Sequence, residues 1–245
     1  MRLHNFFIDQ KIGEAKILRL ESLNNADLLH QLKNVFRLEK GDEVVLLDNS
    51  GLEYRSKIEL LSKSEGVFEV VEVTENKVTP KRDVCLCVSM IKKDNFEWIL
   101  EKGTELGVSF FTPIISERSV KTNFNHERGE KIIKEASEQS GRGKLPGLYK
   151  MISLEVALDY VQKNNFLAVA FHVNNDEKEN VKKFDLKMIE NTGSKMTTVF
   201  IGPEGGWTEN EIALFKKYGA EICSLGSQTL RAETAAIAAA SLLLL

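Results

Sequence analysis

Three segments of this chain combine residue types that cofactor binding and catalysis call on. "AFHV" (170–173), "IGPEGGWTENE" (201–211) and "LGSQTLRAETA" (225–235) each sit at or just past the end of an apolar run. A glycine-rich turn between a strand and a helix usually cradles phosphate, because bare backbone N–H groups and the positive helix end point at the ligand. Here the turn carries Glu204, and Glu209 and Glu211 fall in the first turn of the next helix, charges that repel a pyrophosphate. None of the three segments holds G-x-G-x-x-G or a P-loop lysine, so dinucleotide and nucleoside-triphosphate readings lack their phosphate ligands. A phosphate-free cofactor fits better: a nucleoside against backbone and apolar side chains, with a cationic centre that tolerates carboxylates. S-adenosylmethionine has those properties, although elimination alone leaves other phosphate-free ligands open.

The elements that would position these segments fall into two textures. Short extended runs at 15–20, 43–48, 53–60 and 67–73, broken by turn signals such as "DNSG" and "KSEG", suggest a small β-barrel with one helix near 25–36. The polar stretch "TENKVTPKRD" ends that texture and sets domain bounds of 1–75 and 76–245. Beyond it strands at 83–91, 108–115, 166–171, 197–201 and 221–225 alternate with helices at 126–139, 153–162, 208–218 and 232–244. A further helix follows the first of these strands, with Asp94 and Glu97 as its capping box; Thr208 and Glu211 make another. Such alternation implies an α/β domain with a mostly parallel sheet, binding ligands at the carboxyl ends of its strands.

Composition narrows the class. The 245 residues are 42% hydrophobic and 28% charged, an ordinary soluble balance with a formal net charge of −3. The segment 76–150 is nonetheless net positive, with 14 basic against 10 acidic residues. A local basic patch suffices for RNA, although a solvated charged face gives the same count. No charged-then-apolar leader opens the chain, and the apolar run 235–245 is too short to span a membrane. Cys85 and Cys87 share one face of a strand, where they are badly placed to bridge each other, so buried reduced thiols and a cytoplasmic location are expected. The 4 histidines lack metal-ligand spacing, and no metal is expected.

"IGPEGGWTENE" followed by "LGSQTLRAETAAIAA" resembles the paired C-terminal signature of the RsmE family, SPOUT-superfamily methyltransferases acting on N3 of a uridine in small-subunit ribosomal RNA. "HQLKNVFRLEKGD" (30–42), "LEKGTELGVSFFTPIISERS" (100–119) and "EASEQSGRGKLP" (135–146) are similar to three further blocks in the family's order. The chain departs from the family at Gln228-Thr229, where a basic and an apolar residue are usual, at Phe36 for Leu and at Gly103 for Ala. The resemblance implies a PUA-like N-terminal β-barrel that binds RNA and a C-terminal SPOUT domain tied in a trefoil knot. It also implies a homodimer, and S-adenosylmethionine as cofactor, with ribosomal RNA, free or in the assembled small subunit, as substrate.

Site residues follow from the motif positions. The cofactor would meet Phe171, Ile201, Gly202, Glu204, Gly205, Gly206, Leu225, Gly226 and Leu230. Arg231 would stabilise the oxyanion that forms when N3 of uracil loses its proton, and Glu233 is the nearest candidate base. Their bland alternatives are an interface ion pair and a carboxylate that complements the helix dipole. Arg2, His30, Arg37, Lys92, Arg118 and Arg142 would contact RNA; His30 and Arg37 lie seven apart, two helical turns if the helix extends that far. Three other readings compete: an RNA-binding adaptor without catalysis, the same methyl chemistry on a different RNA, and a Rossmann-type oxidoreductase, disfavoured by the missing glycine fingerprint.

Overall fold

The computed structural model describes residues 3–120, 124–173, 181–190 and 192–245. The chain forms two compact units, Met1–Thr79 with Ser137–Leu145, and Pro80–Ala136 with Pro146–Leu245. The bounds drawn from composition do not contain that return. The stretch 137–145 reads as a helix end and a turn, with no change of texture to mark it.

The N-terminal unit holds β1 (Asn5–Phe7), β2 (Ile17–Glu21), α1 (Ser22–His30), β3 (Glu43–Leu47), β4 (Leu52–Leu61) and β5 (Glu65–Glu75). Its single sheet runs β1-β3-β4-β5-β2, parallel at β1–β3 and antiparallel elsewhere. Strand alternation decides which side chains turn inward: Leu18 and Leu20 from β2, and Tyr54 and Ile58 from β4, meet Phe6, Phe68, Leu28 and Leu32 in one core. Each such side chain contributes roughly 1.5–3 kcal/mol through burial. The "DNSG" turn joins β3 to β4. Burial pushes the carboxyl of Asp48 up. Hydrogen bonds from the Ser50 hydroxyl and from the main-chain N–H groups of Ile12 and Ser50 outweigh it, so the group sits below its ordinary value.

One helix here departs from expectation. It starts at Ser22, is off-helical at Asn25, and from Gln31 to Val35 winds as a π-helical turn whose bond runs from Phe36 N–H to Gln31 O at 3.0 Å. Arg37 follows at φ 56°, in the left-handed region. His30 and Arg37 are therefore not two α-helical turns apart, although both are exposed.

The C-terminal unit holds β6 (Asp83–Ser89), α2 (Lys93–Leu106), β7 (Phe110–Ile115), α3 (His126–Ser140, its last turn counted with the N-terminal unit), β8 (Gly147–Leu148), β9 (Ile152–Ser153), α4 (Leu154–Lys163), β10 (Leu167–Phe171), β11 (Lys182–Lys183), α5 (Lys187–Glu190), β12 (Met196–Ile201), α6 (Glu209–Lys217), β13 (Glu221–Ser224) and α7 (Ala232–Leu244). Its strands are ordered β11-β13-β10-β12-β6-β7-β8, with β9 also on β7, and every pairing is parallel. Both faces are covered. Val84, Leu86 and Val88 of β6 and Val199 of β12 join the core beneath α2 and α7, while Cys85, Cys87 and Phe200 join the core beneath α4 and α6. The cysteines do share a face, buried and free.

Two local details correct or explain the sequence. The N-cap of α2 is Lys92, without a side-chain bond, so Asp94 and Glu97 form no capping box; Glu97 instead takes a two-pronged pair of bonds from Arg128, at 2.6 and 2.7 Å. That guanidinium holds the Glu97 carboxyl below its ordinary value. At Gly103 a Cβ would lie 2.7 Å from the Phe111 ring, so α2 approaches β7 more closely than alanine allows. No helix among the described residues is long and apolar enough to cross a membrane.

Candidate functional site

The parallel strands β10, β12 and β13 lie side by side and end together, and a cleft opens at their carboxyl ends. All nine residues expected to meet a cofactor line it: Phe171 from β10, the 201–206 turn after β12, and Leu225, Gly226 and Leu230 after β13. His172, Val173, Trp207, Gln228, Thr229, Ala232 and Ala235 line it too, and sequence reasoning had not assigned them. The signal for the first two was the strand end; for the others it was their place within the motif. Gln228 and Thr229, the departure from the family pattern, thus stand in the cleft wall.

Three glycines of the 201–206 turn are required for three different reasons. A Cβ on Gly202 would come 3.1 Å from the Trp207 indole, which is buried, donates from Nε1 to Phe171 O at 3.0 Å and lies edge-on to Phe215. At Gly205 it would meet Arg118 Cδ at 3.1 Å. Gly206 adopts φ 67°, which an L side chain rarely takes, and around its absent Cβ there is open space. Gly226, at φ 149°, is equally open. These last two glycines make a cradle that side chains would fill. With Glu204 exposed at its edge, the cleft suits a nucleoside bearing positive charge better than one bearing phosphates.

The turn is held from both ends. Thr208 and Glu211 do form the capping box of α6. Glu211 is buried; it accepts from Thr208 N–H at 2.9 Å through one oxygen and from Glu117 N–H at 2.9 Å through the other. Its charge is thus used in tying the loop after β7 to the start of α6. The same loop carries Arg118, expected to meet RNA, whose guanidinium donates to Gly205 O at 2.6 Å and lines the cleft.

Arg231 and Glu233 stand beside the cleft and outside its lining. Arg231 is the N-cap of α7, exposed and without a side-chain capping bond. No burial penalty falls on its charge, contrary to what a buried guanidinium at a helix N-terminus would face. Glu233 lies in the first turn of α7, and its Oε2 is buried with no hydrogen-bond partner among the described residues. Of the expected RNA contacts, His30, Arg37, Lys92 and Arg118 are exposed and Arg2 lies outside the described residues. Arg142 is buried, 5% exposed, and burial pulls its guanidinium down to about 10. Among the described residues no cluster of His, Cys, Asp or Glu could hold a metal ion.

Comparison with known proteins adds to this geometry. Residues 78–244 match the model of an RNA methyltransferase domain, and 23–71 that of an RNA methyltransferase PUA domain. The chain is 32% identical to ribosomal RNA small subunit methyltransferase E of Bacillus subtilis, over 98% of this chain and 95% of the relative. To the protein of that name from Rickettsia conorii it is 31% identical, over 98% and 94%. A solved ribosomal RNA small subunit methyltransferase E from Neisseria gonorrhoeae, bound to S-adenosyl methionine, superposes with a TM-score of 0.86 at 26% identity, over 98% of this chain and 96% of that one.

Proposed function

Because this chain belongs to the RNA methyltransferase family that includes ribosomal RNA small subunit methyltransferase E, we propose that it transfers a methyl group from S-adenosylmethionine to N3 of a uridine in small-subunit ribosomal RNA. The observation that carries the reading is the cleft, lined at three strand ends by the residues expected to hold that cofactor. When bound, the cofactor supplies an electrophilic methyl on a sulfonium. All else belongs to the chain. Gly206 and Gly226 leave room for the ligand against backbone, Trp207 fixes the turn, and Glu204 places negative charge at the edge.

The remaining task is to make N3 of uracil nucleophilic. It carries a proton near neutral pH, and losing it places negative charge on the flanking oxygens. The exposure of Arg231 at the N-cap of α7, between the lining residues Leu230 and Ala232, supports it as the group that meets that charge. Glu233 has an unused acceptor oxygen one step further on, which supports it as the proton's destination. Arg37 on the N-terminal unit and Lys92 on the C-terminal unit are exposed cations suited to RNA phosphates, and His30 is an exposed hydrogen-bonding side chain on the N-terminal unit. A homodimer, a cytoplasmic location and ribosomal RNA as partner, free or in the assembled small subunit, complete the proposal.

Mass spectrometry of ribosomal RNA nucleosides from cells with and without the gene tests it. A N3-methyluridine present in the first and missing from the second is the expected result; identical nucleoside profiles defeat the proposal.

A further inference from the structure

The side chains that line the cleft of the C-terminal unit fall into two groups by exposure. Phe171, Ile201 and Trp207 are buried in its wall, whereas Arg118, Glu204, Gln228 and Thr229 are exposed. The cleft holds about 210 Å³. That is the share of roughly seven molecules of liquid water, at about 30 Å³ each. A polynucleotide is far too large to enter such a space. Its target nucleotide therefore meets the cleft at the exposed rim.

The rim side chains differ in what they can offer. Glu204 brings negative charge, and Arg118 already donates to Gly205 O at 2.6 Å. Thr229 carries one short hydroxyl. Gln228 carries a carboxamide with two donor hydrogens, and that group makes no hydrogen bond among the described residues. It lies three residues before Arg231, in the loop that joins β13 to α7.

The chemistry of the target calls for a second donor. In the reading above, the proton on N3 of uracil passes to Glu233. The electron pair left behind spreads over N3 and over O2 and O4, the oxygens on its two flanks. A single guanidinium on one flank leaves the other oxygen without a donor. We propose that Gln228 fills that place, its carboxamide Nε2 donating to the second of the two uracil oxygens. Residues 225–231 then hold the anion from both flanks. A carboxamide is neutral, so it meets the anion without repelling the cationic cofactor expected in the same cleft. The inference rests on the methyltransferase reading and deepens it, by naming a further residue that touches the target base.

The test is single-turnover methylation of ribosomal RNA from cells lacking the gene, with the full chain, saturating cofactor and a range of pH. Gln228→Ala should slow transfer about tenfold or more at neutral pH, as loss of a hydrogen bond to a charged group does. The deficit should shrink as pH rises, because uracil then ionises without help. Gln228→Glu should be slower still, since a carboxylate donates nothing and repels the anion. Affinity for S-adenosylmethionine, read by calorimetry, should stay within a few fold in Gln228→Ala. It should not fall in Gln228→Glu, because a carboxylate attracts the sulfonium. A deficit in Gln228→Ala that is absent, or constant with pH, overturns the proposal. So does Gln228→Glu as fast as Gln228→Ala, or a loss of cofactor affinity that matches the loss of transfer. A wild type without transfer overturns the methyltransferase reading and this inference with it. An active wild type beside an equally active Gln228→Ala overturns the inference alone.

Discussion

The two concave regions of this molecule are built from opposite materials. The cleft of the C-terminal unit depends on bare backbone at two points of its wall, Gly206 and Gly226, which take left-handed conformations with open space where side chains would be. The pocket of the N-terminal unit is made by side chains, His4 and Phe36 facing Glu138 and two glutamines. A site made of backbone is lost by adding atoms, and a site made of side chains by removing them.

Substitutions can break or sharpen that contrast. The largest effect is expected at Arg231, which adjoins the cleft without lining it. Arg231→Ala should lower turnover about a hundredfold or more, as loss of an oxyanion donor does, with cofactor affinity within a few fold. Arg231→Lys should recover part of it, since a point charge lacks the planar fork. Single-turnover kinetics beside calorimetry separates the two; joint loss of turnover and affinity would make the residue structural. Next comes Gly206→Val, which adds atoms to the cradle and forces a β-branched residue to φ 67°. Cofactor affinity should fall tenfold or more, about 1.4 kcal/mol, in a protein that still folds. Unchanged affinity would remove this turn from the site.

A smaller effect is expected at Asp48, whose carboxylate gathers the turn of the N-terminal unit. Asp48→Asn should cost ~1 kcal/mol in denaturant unfolding at neutral pH, because one buried donor loses its partner. The sign with pH follows from the direction of its shift. The folded group lies below its ordinary value, so its stabilisation is complete above the unfolded value of about 3.9 and is lost as pH falls through the folded one. Wild type and Asp48→Asn should therefore begin to converge in stability as pH falls below about 4, and meet once it has passed the folded group's lower value. A constant gap down to strong acid would show that the charge is irrelevant. The smallest effect is expected from Arg118→Ala, which removes one hydrogen bond to Gly205 O at an exposed position. Cofactor affinity should fall about threefold, in keeping with a typical bond worth ~1 kcal/mol or less. A loss as large as that of Gly206→Val would make the cleft depend on a side chain after all.

The same contrast explains what the sequence made legible. The parallel sheet announced itself through apolar runs alternating with helical periods, and the cleft through glycines at strand ends. Thr208 and Glu211 cap α6 because a capping box is a local rule obeyed locally. Asp94 and Glu97 obey the same spacing and fail, because Arg128, distant in sequence, claims Glu97. β1 was invisible: three residues cannot display a period, and their pairing with β3 is set by a chain some forty residues on. The π-helical turn leaves no period of its own, and with it went the geometry of His30 and Arg37. Arg142 was expected to contact RNA, yet it is buried, in a segment that belongs to the N-terminal unit although it lies beyond residue 79 in sequence. The trefoil knot rests on the family resemblance, since neither spacing nor periodicity displays threading.

The central claim, that the cleft takes a phosphate-free nucleoside sulfonium, is tested most directly by titrating the full-length protein calorimetrically with S-adenosylmethionine and, separately, with NAD. Saturable heat with S-adenosylmethionine at one site per chain, and none above dilution with NAD, is the expected result. Binding of NAD, or no binding of S-adenosylmethionine by a folded preparation, would contradict it.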